Sequence, residues 1–293
     1  MLEKKAKGQS GGNARRGSKT KTRVRVFEEG RMRVRPDSLA TEEPMEIRLL
    51  AGDTRKTVAV TMRTPGADFE LAAGFLYGEG IVSSTEDILK ISYCVDADVS
   101  IEQQYNIVNV ELRGGREYDL RSLERHFYTS SACGVCGKAS LDQLEIKGCP
   151  AIPTGLEISA DTITSLPDKL REAQGLFDAT GGLHAAGLFD AEGNLLAIRE
   201  DVGRHNATDK LIGWALMQGR LPLNKHVVMV SGRSSFEILQ KCLTAGVPIV
   251  CAISAPSSLA VDVARRFGMT LVGFLRSNRF NVYSAPERVL ARP

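Results

Sequence analysis

Val227-Val228-Met229-Val230, then Ser231-Gly232-Arg233-Ser234-Ser235, a helical pattern over residues 236–244, and Ile249-Val250-Cys251-Ala252 together decide the fold class. Four consecutive apolar, mostly β-branched residues bounded by glycine and serine read as a strand buried on both faces. A strand, a helix-length connection and a second strand of the same kind form a crossover unit, which lays the two strands parallel. The pattern then repeats. A helix carrying Leu259, Val263, Ala264 and Phe267 leads into a strand at residues 271–274. Upstream, strands at 184–188 and 195–198 and a helix at 207–217 keep the same rhythm. The second half reads as an α/β domain whose helices cover a mostly parallel sheet.

Toward the N-terminus the rhythm changes. Residues 45–50 and 57–62 are strand-like, and Ala51-Gly52-Asp53 between them supplies a turn, which predicts a hairpin. Over residues 68–77 Leu71, Ala72, Phe75 and Leu76 make one apolar stripe, and Gly78 and Gly80 end that helix. A first strand is expected between Val24 and Met32, a short helix at 85–91 and a strand at 107–112. The expected division is a disordered basic arm over residues 1–22, a smaller α+β domain over 23–125 and the α/β domain over 126–293. The boundary falls within 114–132.

The 293 residues are 43% hydrophobic and 25% charged, which excludes wholesale disorder and a disulfide-stapled miniprotein. The net charge of +3 is unevenly spread: residues 1–35 hold 12 Lys/Arg against 3 Glu, and the remainder 26 basic against 32 acidic residues. The body is mildly acidic, so nucleic acid is not an expected partner. The arm reads either as a solubilising extension or as an electrostatic contact for an acidic partner. No apolar run is long enough for a membrane helix, and the basic start lacks the apolar stretch of a secretory signal. The expected location is the cytoplasm.

There the six cysteines need a reason other than disulfides. Cys242 and Cys251 sit in apolar stretches and read as buried small hydrophobes. Ser131-Ala132-Cys133-Gly134-Val135-Cys136-Gly137-Lys138 is different. Two thiols three positions apart, flanked by glycines, lie on backbone that can turn tightly and surround a sulfur with N–H donors, and Lys138 adds a charge that would favour a thiolate. A nucleophilic or sulfur-handling cysteine, a redox pair, inert surface cysteines, and a zinc site completed by Cys149 with His126 or His184 all fit this run. A second constellation is Thr180-Gly181-Gly182-Leu183-His184 with Glu200-Asp201-Val202-Gly203-Arg204-His205-Asn206. It packs acids, Arg, His and Asn at a strand end, with Asn206 as a helix N-cap and Lys210 one turn on; it reads as a ligand site or as an ion-pair and capping network. The Gly181-Gly182 pair suits close backbone approach to a ligand or another loop. Gly232-Arg233-Ser234-Ser235 and Ser254-Ala255-Pro256-Ser257-Ser258 each follow a strand and open a helix, an arrangement that holds phosphates. Arg276 and Arg279 after the last strand add rigid guanidinium forks. Trp214 reads as core.

These segments, together with Glu43-Pro44-Met45-Glu46-Ile47, Met62-Arg63-Thr64-Pro65-Gly66, Glu70-Leu71-Ala72-Ala73-Gly74-Phe75-Leu76, Glu79-Gly80-Ile81, Ala207-Thr208-Asp209-Lys210 and Asn281-Val282-Tyr283, resemble the FdhD family, the sulfur-carrier accessory proteins of formate dehydrogenase. The resemblance runs over residues 43–283. It implies a homodimer that takes sulfur from a cysteine desulfurase and delivers it to the molybdenum cofactor, in its bis(molybdopterin guanine dinucleotide) form, before that cofactor enters formate dehydrogenase. It implies a C-terminal domain with a cytidine-deaminase-like three-layer fold. Deaminase chemistry does not follow, because the His-x-Glu and Pro-Cys-x-x-Cys zinc set is absent. By the same resemblance Cys133 carries the persulfide and Cys136 is its neighbour in the pair. Phe274, Leu275, Arg276, Ser277, Asn278 and Arg279 match the cofactor-contact segment. His184, Asp201, Arg204 and His205 are candidates to orient cofactor or sulfur, and Arg233 and Ser257 to contact its phosphates. The competing expectation is a zinc-stabilised scaffold that binds cofactor or apo-dehydrogenase without moving sulfur.

Overall fold

The computed structural model describes residues 17–51, 54–114, 149 and 151–291. It opens with a two-stranded ribbon, β1 (Lys19–Glu28) and β2 (Arg31–Ala40), joined by Glu29-Gly30. Both turn residues have positive φ, 50° and 73°, the two-residue turn whose twist matches that of the flanking strands. Strand structure therefore begins at Lys19, inside the arm expected to run to residue 22, and the stretch expected as one strand from Val24 to Met32 is the ribbon's tip.

β3 (Glu43–Ala51) and β4 (Thr54–Arg63) form the expected hairpin, followed by α1 (Asp68–Gly78). Residues 85–91 are not a helix. A 3-10 turn at Thr85–Asp87, boxed by Ser84 and Asp87, gives way to β5 (Ile88–Tyr93), which pairs with β6 (Ile107–Leu112) beyond the short α2 (Ile101–Gln104). β-branched Ile88 and Ile91 fit a pleated surface better than a helix. The sheet runs β4-β3-β6-β5, with α1 on its buried face against Met45, Ile47, Leu49, Val108 and Val110.

The second half starts with β7 (Ile158–Ser159), α3 (Ala160–Glu172) and α4 (Gly175–Thr180). β8 (His184–Phe189), β9 (Leu195–Asp201), α5 (Arg204–Met217), β10 (Val227–Val230), α6 (Phe236–Thr244) and β11 (Ile249–Ala252) come next. α7 (Ser258–Arg266), β12 (Thr270–Arg276), β13 (Arg279–Ser284) and β14 (Val289–Leu290) complete it. The strand order is β13-β12-β11-β10-β8-β9. Only β10, β11 and β12 are mutually parallel; β8, β9 and β13 join antiparallel, so the sheet is mixed rather than mostly parallel. The short links 190–194 and 277–278 turn straight back, which a parallel crossover cannot do. α5, α6 and α7 pack on one face against Ala186, Leu188, Val228, Val230 and Val250. α3 packs on the other against Phe189, Val227, Met229 and Ile249, which makes three layers.

The halves meet where α1 crosses α5. A Cβ on Gly74 would lie 1.9 Å from the Asp209 carbonyl oxygen, and one on Gly213 would lie 1.8 Å from that of Glu70. The two backbones touch, and glycine is required at both positions. Glu70 grips Arg199 through both carboxylate oxygens, and the Tyr77 hydroxyl donates to the Thr244 carbonyl at 3.0 Å.

Candidate functional site

Three parallel strands end at one edge of the six-stranded sheet. β8 runs against them, so it begins there with His184, and its register partner Asp201 closes β9 at the same edge. The loops after the strands are laced together. Ser254 N donates to Gly232 O at 3.3 Å, Ser257 N to Ser234 O at 2.9 Å and Phe274 N to Ser254 O at 3.2 Å. α5, α6 and α7 all start here. Ser257 caps α7 by accepting from Ala260 N, whereas the Ser235 side chain leaves the α6 N–H groups uncapped and lies 3.0 Å from His205 Nε2 instead. Uncapped helix N–H groups and an edge of this kind suit an anion. The Oγ of Ser234 and the Nε of Arg204 are buried here without a hydrogen-bond partner.

The 200–210 run divides between this edge and the seam with the first half. Asp201 is fully buried. One carboxylate oxygen accepts from Gly203 N at 2.8 Å and Asn206 Nδ2 at 3.0 Å; the other accepts from Thr64 N at 3.0 Å and lies 2.6 Å from Lys210 Nζ. Lys210 Nζ also donates to the Thr64 carbonyl at 2.8 Å, and Asn206 Nδ2 to that of Met62 at 2.7 Å. Asn206 is therefore not the helix cap. Gly203 holds that position, and Asn206 lies inside the first turn as a cross-link between the halves. Glu200 turns away and accepts from Leu176 N and Phe177 N, capping α4. Arg63, next to Thr64 at the end of β4, is 1% exposed and spans Asp68, the Tyr105 carbonyl and Asn106, a burial that its charge does not announce in the sequence.

Arg204 and His205 stay at the edge with His184. Gly232 leaves room for the imidazole of His184, since a Cβ there would sit 3.3 Å from Nδ1. Burial lowers the His184 pKa, the Arg204 charge lowers it further, and Asp201 opposes both. His205 is pushed down to about 4, chiefly by burial; Glu237, 3.1 Å from its Nε2, acts against that shift. Both rings are therefore neutral near pH 7. Behind them burial raises Asp209 to about 6 despite Lys241 at 2.7 Å, while Asp209, Glu79 and Glu237 together hold Lys241 above its usual value against the effect of burial.

Other expected positions are placed as follows. Arg233, Ser257, Ser277, Asn278 and Arg279 are exposed at the edge or on the β12–β13 turn. Arg276 is exposed too, its Nη1 donating to the carbonyls of Ile253 at 2.6 Å and Leu275 at 2.8 Å. Phe274 holds a left-handed φ of 51° at a bulge and shows 42% of its surface, whereas Leu275 is buried in the core. Asp201 and Leu275 thus present no side-chain surface to a ligand. Gly181 ends α4 in the left-handed conformation, and among the described residues no other loop packs closely on it or on Gly182. Cys242 and Cys251 are buried with thiols raised to about 12, as burial of a would-be thiolate requires. Cys133, Cys136 and His126 lie outside the described residues. Cys149 sits by Thr244 at the far end of α6 from His184, about 13 Å along a nine-residue helix, so these two residues cannot share a metal ion.

The class is that of mixed α/β proteins, in which strand ends, helix starts and basic side chains converge on one sheet edge, the place where such sheets can form a ligand site. The chain belongs to the FdhD/NarQ family, which it matches over residues 40–290. It is 50% identical over 268 residues to the sulfur carrier protein FdhD of Streptomyces avermitilis, covering 90% of this chain and 93% of that one. It is 49% identical over 272 residues to the protein of the same name from Mycobacterium tuberculosis, covering 91% and 97%. A crystal structure of a putative formate dehydrogenase accessory protein from Desulfotalea psychrophila superposes with a TM-score of 0.71 at 28% identity, covering 93% of this chain and 99% of that one. Among the described residues no helix is long and apolar enough to cross a membrane.

Proposed function

We propose that this chain is a cytoplasmic sulfur carrier for formate dehydrogenase maturation, acting as a homodimer with a cytidine-deaminase-like C-terminal domain. The Cys133 thiolate attacks the outer sulfur of a cysteine desulfurase persulfide. A new S–S bond forms at Cys133, the donor S–S bond breaks, and the desulfurase cysteine leaves as thiolate. The outer sulfur is then delivered to the molybdenum cofactor, held by its guanine dinucleotide end: the Cys136 thiolate attacks the inner sulfur of Cys133, a Cys133–Cys136 disulfide forms as the persulfide S–S bond breaks, the outer sulfur leaves at the sulfide level, and a cellular thiol reductant resets the pair. The observation that carries this reading is likeness: over about nine-tenths of its length the chain is half identical to proteins named as sulfur carriers.

The sheet edge is consistent with the cargo. Uncapped α6 N–H groups, Arg233, Arg276 and Arg279 suit a pyrophosphate, and an exposed aromatic ring at Phe274 suits a base. Neutral His184 and His205 can accept a proton or a hydrogen bond there. Mass spectrometry after incubation with a cysteine desulfurase and cysteine is expected to find one added sulfur atom on Cys133. Cys133→Ala is expected to bind cofactor but not to activate formate dehydrogenase; normal activation by that variant would end the mechanism. Calorimetry with GDP is expected to show affinity reduced about tenfold or more in Arg276→Ala. Equal affinities would remove Arg276 from the site.

A further inference from the structure

Among the described residues β1 and β2 pair only with each other, so the outer edge of β1 has no strand beside it. The ribbon is tied to the body at its base, where Thr41 N donates to Ser18 O and the Thr20 and Thr41 hydroxyls lie 2.8 Å apart. Beyond that base Phe27, Val34 and Met32 are 75%, 62% and 55% exposed. A two-stranded ribbon is marginal in water by itself, and an open edge beside exposed apolar side chains is a template for another strand.

The register states what that strand must carry. Cross-strand partners share a face, so β1 shows Lys19, Lys21, Arg23 and Arg25 on one face and Thr20, Thr22, Val24 and Val26 on the other. With Arg31, Arg33 and Arg35 of β2 the ribbon holds seven cations against Glu28, Glu29 and Asp37. We propose that the edge of β1 binds an extended segment of a partner protein in which carboxylate and apolar side chains alternate. The carboxylates meet the Lys/Arg row, and the apolar side chains meet Val24 and Val26. Main-chain hydrogen bonds supply affinity, and the alternation supplies selectivity. Phe27, with Met32 and Val34 of β2, lies on the Lys/Arg face, and Val24 and Val26 on the other face are half-buried. A phosphate backbone would satisfy the cations but leave this apolar surface uncovered and the main-chain edge unpaired, so a polypeptide fits better. The docking is argued from the register, charge and open edge of the ribbon and uses neither the cysteines nor the sheet edge of the sulfur-carrier reading.

The full chain is titrated, by fluorescence anisotropy, with a labelled peptide alternating Glu and Val, a peptide of the same composition with its Glu and Val in separate blocks, and an oligonucleotide of equal charge. The alternating peptide is expected to bind about tenfold tighter than the blocked one and to weaken with salt. Arg23→Glu with Arg25→Glu should lower its affinity by about tenfold or more. Val24→Thr with Val26→Thr, which keeps strand propensity and charge, should lower it about threefold. Equal binding of the two peptides, tighter binding of the oligonucleotide, or an edge already occupied by a second copy that the peptide does not displace would each overturn the proposal.

Discussion

The seam between the halves and the edge of the six-stranded sheet are built from the same short run, and they are opposites. Asp201, Asn206 and Lys210 face the seam, where their polar atoms meet donors and acceptors from Met62 and Thr64 and nothing is exposed. Arg204 and His205, from the same helix, face the edge, where Arg204 Nε is buried without a partner and neighbouring side chains stand open. Helical periodicity does the sorting: positions 206 and 210 lie one turn apart on one side, and 204 and 205 fall on another. Density of titratable residues therefore marks two kinds of place at once. One is satisfied and holds the fold; the other is unsatisfied and is free to hold a ligand.

The contrast makes ordered demands. The largest effect belongs to the helix crossing. Gly213→Ala or Gly74→Ala places a methyl group inside the facing backbone and is expected to cost about 4–5 kcal/mol or more, seen in denaturant titration as loss of a folded baseline. A parent-like midpoint would mean that the helices have room to part. Next is the ion pair. Asp201→Ala strands the Lys210 ammonium in the interior and should cost about 3–5 kcal/mol. Were it to cost under about 1 kcal/mol while GDP affinity collapsed, Asp201 would belong with the edge after all.

Titration separates two groups that lie one helical turn apart. His205 is depressed from 6.5 to about 4, so the unfolded chain binds more protons between those values, and stability from this group is lost as pH falls through that window. Asp209 is raised from 3.8 to about 6, so the folded chain binds more protons there, and its contribution weakens as pH rises across the same range. His205→Gln should leave a variant whose stability declines more steeply from pH 4 to pH 6, measured by melts at each pH. A flat difference between variant and parent would show His205 to be freely solvated. The smallest effects belong to the exposed edge. Ser257→Ala loses a cap worth about 1 kcal/mol, and Arg233→Ala should move stability by less than about 0.5 kcal/mol. A large loss at Arg233 would place that residue in the structural set.

Much of this architecture was legible beforehand. The strands β10, β11 and β12 and the helices between them announce themselves through short apolar runs broken by serine and glycine, because burial on both faces leaves polar residues nowhere else to go. The β3–β4 hairpin and α1 were equally plain. The ribbon was legible only in part: β1 alternates Lys/Arg with Thr/Val, half-buried at Thr22, Val24 and Val26, but β2 is exposed almost throughout and no buried face sets its register, so the turn at Glu29-Gly30 fell inside the stretch expected as one strand. α3 escaped notice because Pro167 sits within it and its apolar residues, Ile163, Leu166 and Leu170, are few. At the site, the convergence of the serine loops on one edge followed from the strand order. The burial of Asp201 did not, because its partner Thr64, and Met62 that holds neighbouring Asn206, lie about 140 residues away in the chain, where only the folded contact can bring them.

Contact between α1 and α5 through bare backbone has a practical corollary. Two pieces joined by touching main chains, a two-pronged Glu70–Arg199 grip and an enclosed lysine need no covalent tie to remain one particle. A polypeptide nicked between residues 115 and 148 should still elute from gel filtration as a single species, and the separately expressed fragments should reassemble on mixing.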